Sequence, residues 1–555
     1  MKLLLMPLIT VALLIVLVAL PLLFILLQAL FPAFSQGSLA GAFSTLPVLL
    51  HDPALPALLV GTLKTGLGVA LFSALVGVPL GTLRGLFQLP LARFWDLILL
   101  IPFLTPPYIA ALSWMLALQQ NGYVQQLTGL NLNNLLFSQT GIMLIMTLNI
   151  FPVVYFAVSR SMLASGQRLA TVARVHGASA WQAFWHISLP MALPALAAGV
   201  LLAFTLAIEE FGVPAALGPR AGVVMLTVGI EQRLADWPID LPGASLLSVV
   251  LVSIALAAFA LQKQLTGNKE VTSITGKPAA SSPVLLGRWK IPVMGLFSLV
   301  AFMVVVLPLS SLLLTALMST LSGGLHLDNL TVRHFSTLFA QQSEALSALS
   351  TSLGLALGAA AITGALGFLV AWLVVEGKMR GVKIIDALSL LPVALPGVVI
   401  GVGLILLWNR SFWPVSPYNS WAILLMSYCC ILLPWPVRYV GSALKQIGGN
   451  LEPAARVHGA SSLQALRHII LPLVLPSLLA AMLMVFAIAS RELVTSLLLA
   501  PAGTQTVAVF IWRQFEQGSP GQGMAMASIA LIASLILMLA ALALIQRQEK
   551  ESDHS

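Results

Sequence analysis

The chain has 555 residues, of which 59% are hydrophobic and 8% charged, with 27 Lys and Arg against 18 Asp and Glu. So few polar side chains cannot cover a water-facing surface, which excludes a soluble enzyme, and the net charge of +9 does not point to nucleic acid. Lipid suits this composition, because there helices satisfy their own backbone groups and apolar surface carries no penalty.

The first apolar run covers 7–32 and follows Met1 and Lys2. It is longer than the apolar core of a secretory signal and lacks a small-residue cleavage site, so it reads as a retained membrane helix. Further runs long enough to cross a hydrocarbon core lie at 58–83, 96–118, 140–160, 190–209 and 243–262. A second series lies at 292–318, 348–375, 386–408, 421–441, 472–490 and 525–545, making twelve spans. Thr105-Pro106-Pro107 and Leu395-Pro396-Gly397 interrupt the third and ninth spans, and such a break either lines a cavity or is a plain kink. Asp96 and Asp386 open the same two spans, where a carboxylate is expected to cap the helix. Trp95, Trp408 and Trp413 near span ends fit an interfacial aromatic belt. Cys429 and Cys430 are adjacent in an apolar run and read as small buried hydrophobes, not as a disulfide. Residues 264–290 are rich in Ser, Thr, Gly and Pro and read as a flexible linker. The expected organisation is one six-span unit over 1–263, the linker over 264–290 and a second six-span unit over 291–555.

One block occurs twice. Residues 173–196 (ARVHGASAWQAFWHISLPMALPAL) and 455–478 (ARVHGASSLQALRHIILPLVLPSL) match at 16 of 24 positions, 282 apart. Asp96, Pro102 and Pro106 precede Asp386, Pro392 and Pro396 by 290, so the repeat extends through each half. Six spans per half is an even number, so the halves insert in the same direction as a parallel duplication. With the N-terminus placed in the cytoplasm, the inside segments hold 20 of the 27 Lys and Arg and the outside segments 7, the bias expected of cations. Both termini and both repeated blocks then fall on the cytoplasmic side, the blocks between spans 4 and 5 of their halves.

In each block a short helix runs into a Gly, turns, and re-enters a helix opened by Leu-Pro, which is a rigid elbow able to pass force from a soluble partner into the membrane. The pattern of Gly, nine residues, then Ile-x-Leu-Pro resembles the coupling loop of ABC-type importer permeases. Two such loops in one chain resemble the fused twelve-span permeases of the ferric iron, thiamine and phosphonate type, over essentially the whole chain. The resemblance implies an all-α polytopic fold, a duplicated type I ABC importer transmembrane domain. It implies ATPase-coupling loops at Ala173, Arg174, His176 and Gly177 and at Ala455, Arg456, His458 and Gly459. Its Glu, six residues before the Gly, is replaced here by Thr171 and Pro453. The implied partners are a homodimeric ABC ATPase that carries ATP-Mg, an extracytoplasmic solute-binding protein and the bacterial inner-membrane bilayer.

The chain holds no phosphate-binding loop, so no cofactor, catalytic residue or metal is expected on it. The histidines of the blocks read as coupling-surface residues and not as ligands. Glu210 and Glu492, related by the 282 offset, are candidate pathway or gate residues together with Pro106 and Pro396, since ionisable groups at membrane depth are costly. The plainer alternative is that these carboxylates mark the membrane interface; Glu209 and Arg491 flank them, and Arg491 is a candidate neutraliser of Glu492. The expected function is ATP-driven import of a small solute, with ferric iron as the lead and thiamine, 2-aminoethylphosphonate, polyamine or sulfate as alternatives. An ion-gradient-driven secondary transporter and a membrane scaffold are the rivals from other classes.

Overall fold

A computed structural model of the chain describes residues 2–163, 172–266, 284–341, 343–377, 381–447 and 451–554. Thr171 and most of the 264–290 linker lie outside these. Among the described residues, nine helices are long and apolar enough to cross a membrane: Met6–Leu30, Ala54–Leu86, Gln139–Ser161, Trp181–Glu209, Leu241–Leu265, Gly287–Ala316, Glu344–Glu376, Leu466–Ala489 and Pro520–Ala541. Four further helix pairs are bent by more than 40° at a short break. Three of these pairs complete the twelve expected spans, and the all-α, twice-repeated architecture is what the sequence calls for.

The breaks are more severe than kinks. The third span runs as Ala92–Leu104 and Pro107–Thr128 at 95°, and the ninth as Val382–Ala394 and Gly397–Trp408 at 116°. Pro106 and Pro396 sit in extended backbone just before the second arm of each, as expected where a proline ring clashes with the preceding turn. The tenth span, Trp421–Leu432 with Pro434–Ile447, bends by 41°, while its counterpart Gln139–Ser161 carries Pro152 at the equivalent position without interruption. The fourth pair, Gly212–Ala221 and Leu226–Ala235 at 88°, falls between spans 5 and 6, in a stretch the hydropathy pattern left as a connecting loop. The second half repeats it as Val494–Leu499 and Val507–Glu516. Each first helix of these hairpins packs on the second arm of the broken span in its own half. We therefore read them as re-entrant hairpins buried in protein, the only setting in which such backbone is tolerated at membrane depth.

Packing in lipid depends on close approach between helices and not on apolarity. Ala54–Leu86 shows both faces of this rule. Leu67, Leu71 and Leu75, four residues apart, are exposed toward where lipid would lie. Gly77, Gly81 and Gly85 run along the opposite side, where added Cβ atoms would stand 2.8–2.9 Å from backbone atoms of Tyr155 and Ser159.

The first spans of the two halves are exchanged. Leu14, Leu17 and Val18 of span 1 join a core of second-half residues that includes Leu355, Tyr428 and Cys429. Phe297 of span 7 packs against Trp95 and Tyr155 of the first half at 5.7 and 6.5 Å between ring centroids. Tyr123 and Thr315 share a 2.7 Å hydrogen bond across the halves, and Phe87–Gln88 pairs in parallel with Val284–Leu285. Cys429 and Cys430 are buried free thiols, as expected.

Two smaller expectations are corrected. Asp96 does not cap its helix; neither third-span nor ninth-span helix has a side-chain cap. Asp96 instead accepts three hydrogen bonds of 2.8–3.1 Å from Arg84 and one of 2.7 Å from Tyr155. Trp95 is no belt residue: it is buried between the halves and donates Nε1–H to the Pro90 carbonyl.

Candidate functional site

The two elbows are built alike, hydrogen bond for hydrogen bond. In the first, the helix ends where the amides of Gly177 and Ala178 donate to the carbonyls of Arg174 and Ala173, at 3.1 and 3.0 Å. In the second, Gly459 and Ala460 donate to Arg456 and Ala455 at 3.0 and 3.1 Å. This crossed pair of bonds is the Schellman closure, which needs a left-handed residue at its centre; Gly177 has φ +94° and Gly459 φ +88°. The next helix opens with a reciprocal capping box. The Ser179 Oγ accepts from the Gln182 amide at 3.1 Å while Gln182 Oε1 accepts from the Ser179 amide at 2.9 Å. Ser461 and Gln464 repeat the pair at 3.3 and 2.8 Å. The second helix continues through a π-turn, Phe184–Ser188 or Leu466–Ile470, directly into span 5 or span 11.

The polar residues of the elbows face outward. Arg174, His176, Arg456 and His458 are exposed, Ala173 is half-buried and Ala455 buried, and Pro453 is exposed in place of a carboxylate. His186 and His468 are tied by Nδ1 to the carbonyls of Gln182 and Gln464 at 3.0 and 3.1 Å. Among the described residues no three His, Cys, Asp or Glu side chains stand close enough to hold a metal ion.

At the other end of spans 5 and 11 lies a half-open cavity, about 600 Å³ with its mouth included, shared by the two halves. Its walls are the broken third span (Phe103, Thr105, Pro106, Pro107, Tyr108), the start of the first re-entrant hairpin (Glu210, Gly212), and the end of span 11 with the start of the second hairpin (Ile488, Arg491, Glu492, Leu493, Val494). Of the four expected pathway residues, Glu210, Glu492 and Pro106 meet here; Pro396 does not reach the wall. Each glutamate caps the hairpin helix that follows it. Glu210 Oε1 accepts from the amides of Gly212 and Val213 at 2.7 and 3.4 Å, and Glu492 Oε1 from Thr495 at 3.2 Å, a favourable place for negative charge. The Thr227 hydroxyl donates to the Glu210 carbonyl, and Ser496 to that of Glu492.

Arg491 does not form an ion pair with Glu492. Its guanidinium crosses to the first half, donates to the Leu104 carbonyl freed by the break in span 3, and also contacts Met538 Sδ. The position equivalent to Arg491 in the first half is Glu209, whose buried Oε1 has no partner. Tyr108 was not singled out by sequence; it follows a proline pair in an apolar run, and only its closeness to Gly212, where a Cβ would stand 2.8 Å from the tyrosine Cβ, brings it to the wall.

Comparison with known proteins shows the family to which the chain belongs. The family described as "Binding-protein-dependent transport system inner membrane component" matches residues 66–267 and again 363–550. The ferric transport system permease protein FbpB of Actinobacillus pleuropneumoniae is 26% identical over 458 residues, 79% of this chain and 64% of that protein. This chain therefore spans less than two thirds of that relative's length. The molybdate/tungstate transport system permease protein WtpB of Thermococcus kodakarensis is 28% identical over 222 residues, 40% of this chain and 82% of that one. A putative 2-aminoethylphosphonate transport system permease protein, PhnV of Salmonella typhimurium, is 27% identical over 236 residues, 42% and 86% of the two chains. A solved bacterial ABC transporter involved in the import of the acidic polysaccharide alginate aligns over 48% of this chain and 97% of its own, with 19% identity and a TM-score of 0.34.

Proposed function

The chain belongs to the family of binding-protein-dependent transport system inner membrane components, and from that premise we propose that it is the fused membrane subunit of an ATP-driven importer. It is a multi-pass membrane protein and a transport subunit, not an enzyme. In this reading a solute-binding protein delivers a small solute, with ferric iron as the lead, to the cavity at the ends of spans 5 and 11. Both termini and both elbows lie in the cytoplasm. An ATPase dimer docks on Ala173, Arg174, His176 and Gly177 and on Ala455, Arg456, His458 and Gly459. ATP-Mg is bound and hydrolysed there and not on this chain. The chain divides into units 1–263 and 291–555 joined by 264–290, each lending its first span to the other.

The observation that carries the proposal is the pair of elbows. Each is an exposed polar turn with a fixed, doubly capped geometry, and each continues without a flexible joint into a span that ends at the central cavity. Closing of the two ATPase subunits would bring the elbows together and tilt spans 5 and 11, which moves Glu210 and Glu492 with them. The lead solute rests on the ferric relatives, which match across most of this chain, while molybdate and phosphonate relatives match shorter parts.

An ion-gradient-driven transporter is the alternative, favoured by one observation, the ionisable side chains gathered at membrane depth. A gentle-detergent purification from native membranes decides between them. Two copies of an ATP-binding-cassette protein per chain, with uptake that stops when ATP is withdrawn, is the expected result. A chain that purifies alone and transports without ATP refutes the proposal.

A further inference from the structure

The central cavity has a chemical character that the transport reading alone does not require. Glu210 and Glu492 bring one carboxylate from each half to its wall. Each caps the helix that follows it through Oε1. Tyr108 is 3% exposed and lines the same wall, yet its hydroxyl has no hydrogen-bond partner. Arg491 and Glu492 line the same cavity as that tyrosine. A buried hydroxyl without a partner is a costly arrangement that native proteins seldom keep unless something else completes it. Among the described residues that line the cavity the one cation is Arg491, and it is committed to the Leu104 carbonyl.

We propose that this cavity is a transit site for a multivalent metal cation, which takes oxygen ligands from Glu210, Glu492 and the Tyr108 hydroxyl, while Arg491 stands in as the tethered positive charge when the cavity is empty. The proposal rests on the importer reading above and names the class of its solute.

Three features point to a cation. Carboxylate and hydroxyl oxygens are hard ligands suited to hard metal ions. An oxyanion entering the same space would meet two carboxylates at close range in a medium far less screening than water, with the one guanidinium already engaged. Among the described residues no three His, Cys, Asp or Glu side chains stand close enough to fix a metal, which suits transit and not residence. A conducting site must bind well enough to admit an ion and loosely enough to release it, so the cation keeps part of its own ligand shell here. The two halves then have unequal tasks: at equivalent positions the first half places Glu209, and the second places Arg491.

The test uses the whole transporter, this chain with the ATPase and binding protein that purify with it, in proteoliposomes. Radioactive iron(III) donated from nitrilotriacetate is the cation probe, and labelled sulfate and 2-aminoethylphosphonate are the anion probes. The expected result is ATP-dependent iron uptake by the wild type, no anion uptake, and a loss of about tenfold or more in iron uptake when Glu210→Gln and Glu492→Gln are combined. Glu210→Asp with Glu492→Asp, which keeps both charges, is expected to restore most of it. Tyr108→Phe is expected to lower uptake by a smaller factor, about threefold. Retained copurification of the ATPase separates these effects from misassembly, and if the Gln pair does not assemble the comparison passes to the single Glu492→Gln and Glu492→Asp variants. A wild type that carries an oxyanion, or that fails to take up iron, overturns the cation site. So does a Gln variant with wild-type iron uptake. Anion uptake that requires ATP sinks the cation site and leaves the importer standing, whereas iron uptake that persists without ATP sinks the importer and leaves the site.

Discussion

Replacing Gly177 and Gly459 with alanine tests the elbows at the point where their geometry is most constrained. A Cβ added at either position meets nothing within 4 Å, so steric crowding contributes no penalty and the backbone alone decides the outcome. At φ +94° and +88° an L-residue costs about 1–2 kcal/mol. That corresponds to about a 5–30-fold loss of correctly set elbow at each site. The two elbows are far apart in sequence and share no partner, so their costs add, and if both must be set together the double variant falls on the order of a hundredfold. The assay is ATP-driven uptake per assembled transporter in proteoliposomes, with Asn and Val placed beside Ala. Asn tolerates the left-handed region and is expected to keep most of the activity, whereas the β-branched Val is expected to do worst. Asn pairs as damaging as Val pairs, or Ala pairs as active as the wild type, would show that the turn conformation is not what coupling requires.

Other consequences follow from packing. A Cβ at Gly61 would stand within bonding range of the Val224 carbonyl oxygen, on the connector of the first re-entrant hairpin. Gly61→Ala is therefore expected to cost about 1–3 kcal/mol, read as a lower melting temperature in detergent; an unchanged melt refutes the close approach. The exchanged first span predicts a cross-link: Gly403 in span 9 would place a Cβ 2.9 Å from Pro21 Cβ. Pro21→Cys with Gly403→Cys, in a background where Cys429 and Cys430 are replaced, should form a disulfide after a small outward shift. Failure to oxidise would place span 1 elsewhere. Tyr155→Phe removes one hydrogen bond to the Asp96 carboxylate, while Arg84 keeps its paired contacts. A loss of about 1 kcal/mol is expected, at the low end for a bond to a charged group because Asp96 keeps some contact with water. A melting curve that matches the wild type would mean the phenol contributes nothing there.

Much of the candidate machinery is legible along the chain because it is local. The elbow needs Gly at the left-handed turn, Ser and Gln three residues apart for the capping box, and Leu-Pro to open the span. All of these are neighbours in sequence, and the second copy at a 282 offset confirms the pattern. Glu210 and Glu492 were legible for the same reason, as ionisable residues at equivalent positions in apolar surroundings. The partners of Asp96 are not legible in this way, because Arg84 and Tyr155 lie 12 and 59 residues away.

The class of solvent, the duplication and the form of each elbow can be read along the chain. Burial in lipid demands apolar length, and turns demand particular residues, and both demands are met residue by residue. Which apolar face meets protein and which meets lipid is fixed only when the helices pack. Hydrophobicity cannot tell these apart, because a lipid tail is as apolar as a leucine. The exchange of the first spans, the re-entrant hairpins, the burial of Trp95 and the position of Tyr108 were therefore hidden. The reach of Arg491 to Leu104, 387 residues away, was hidden as well. It exists because a proline break frees a carbonyl inside the membrane, and a buried carbonyl needs a donor wherever the fold can supply one.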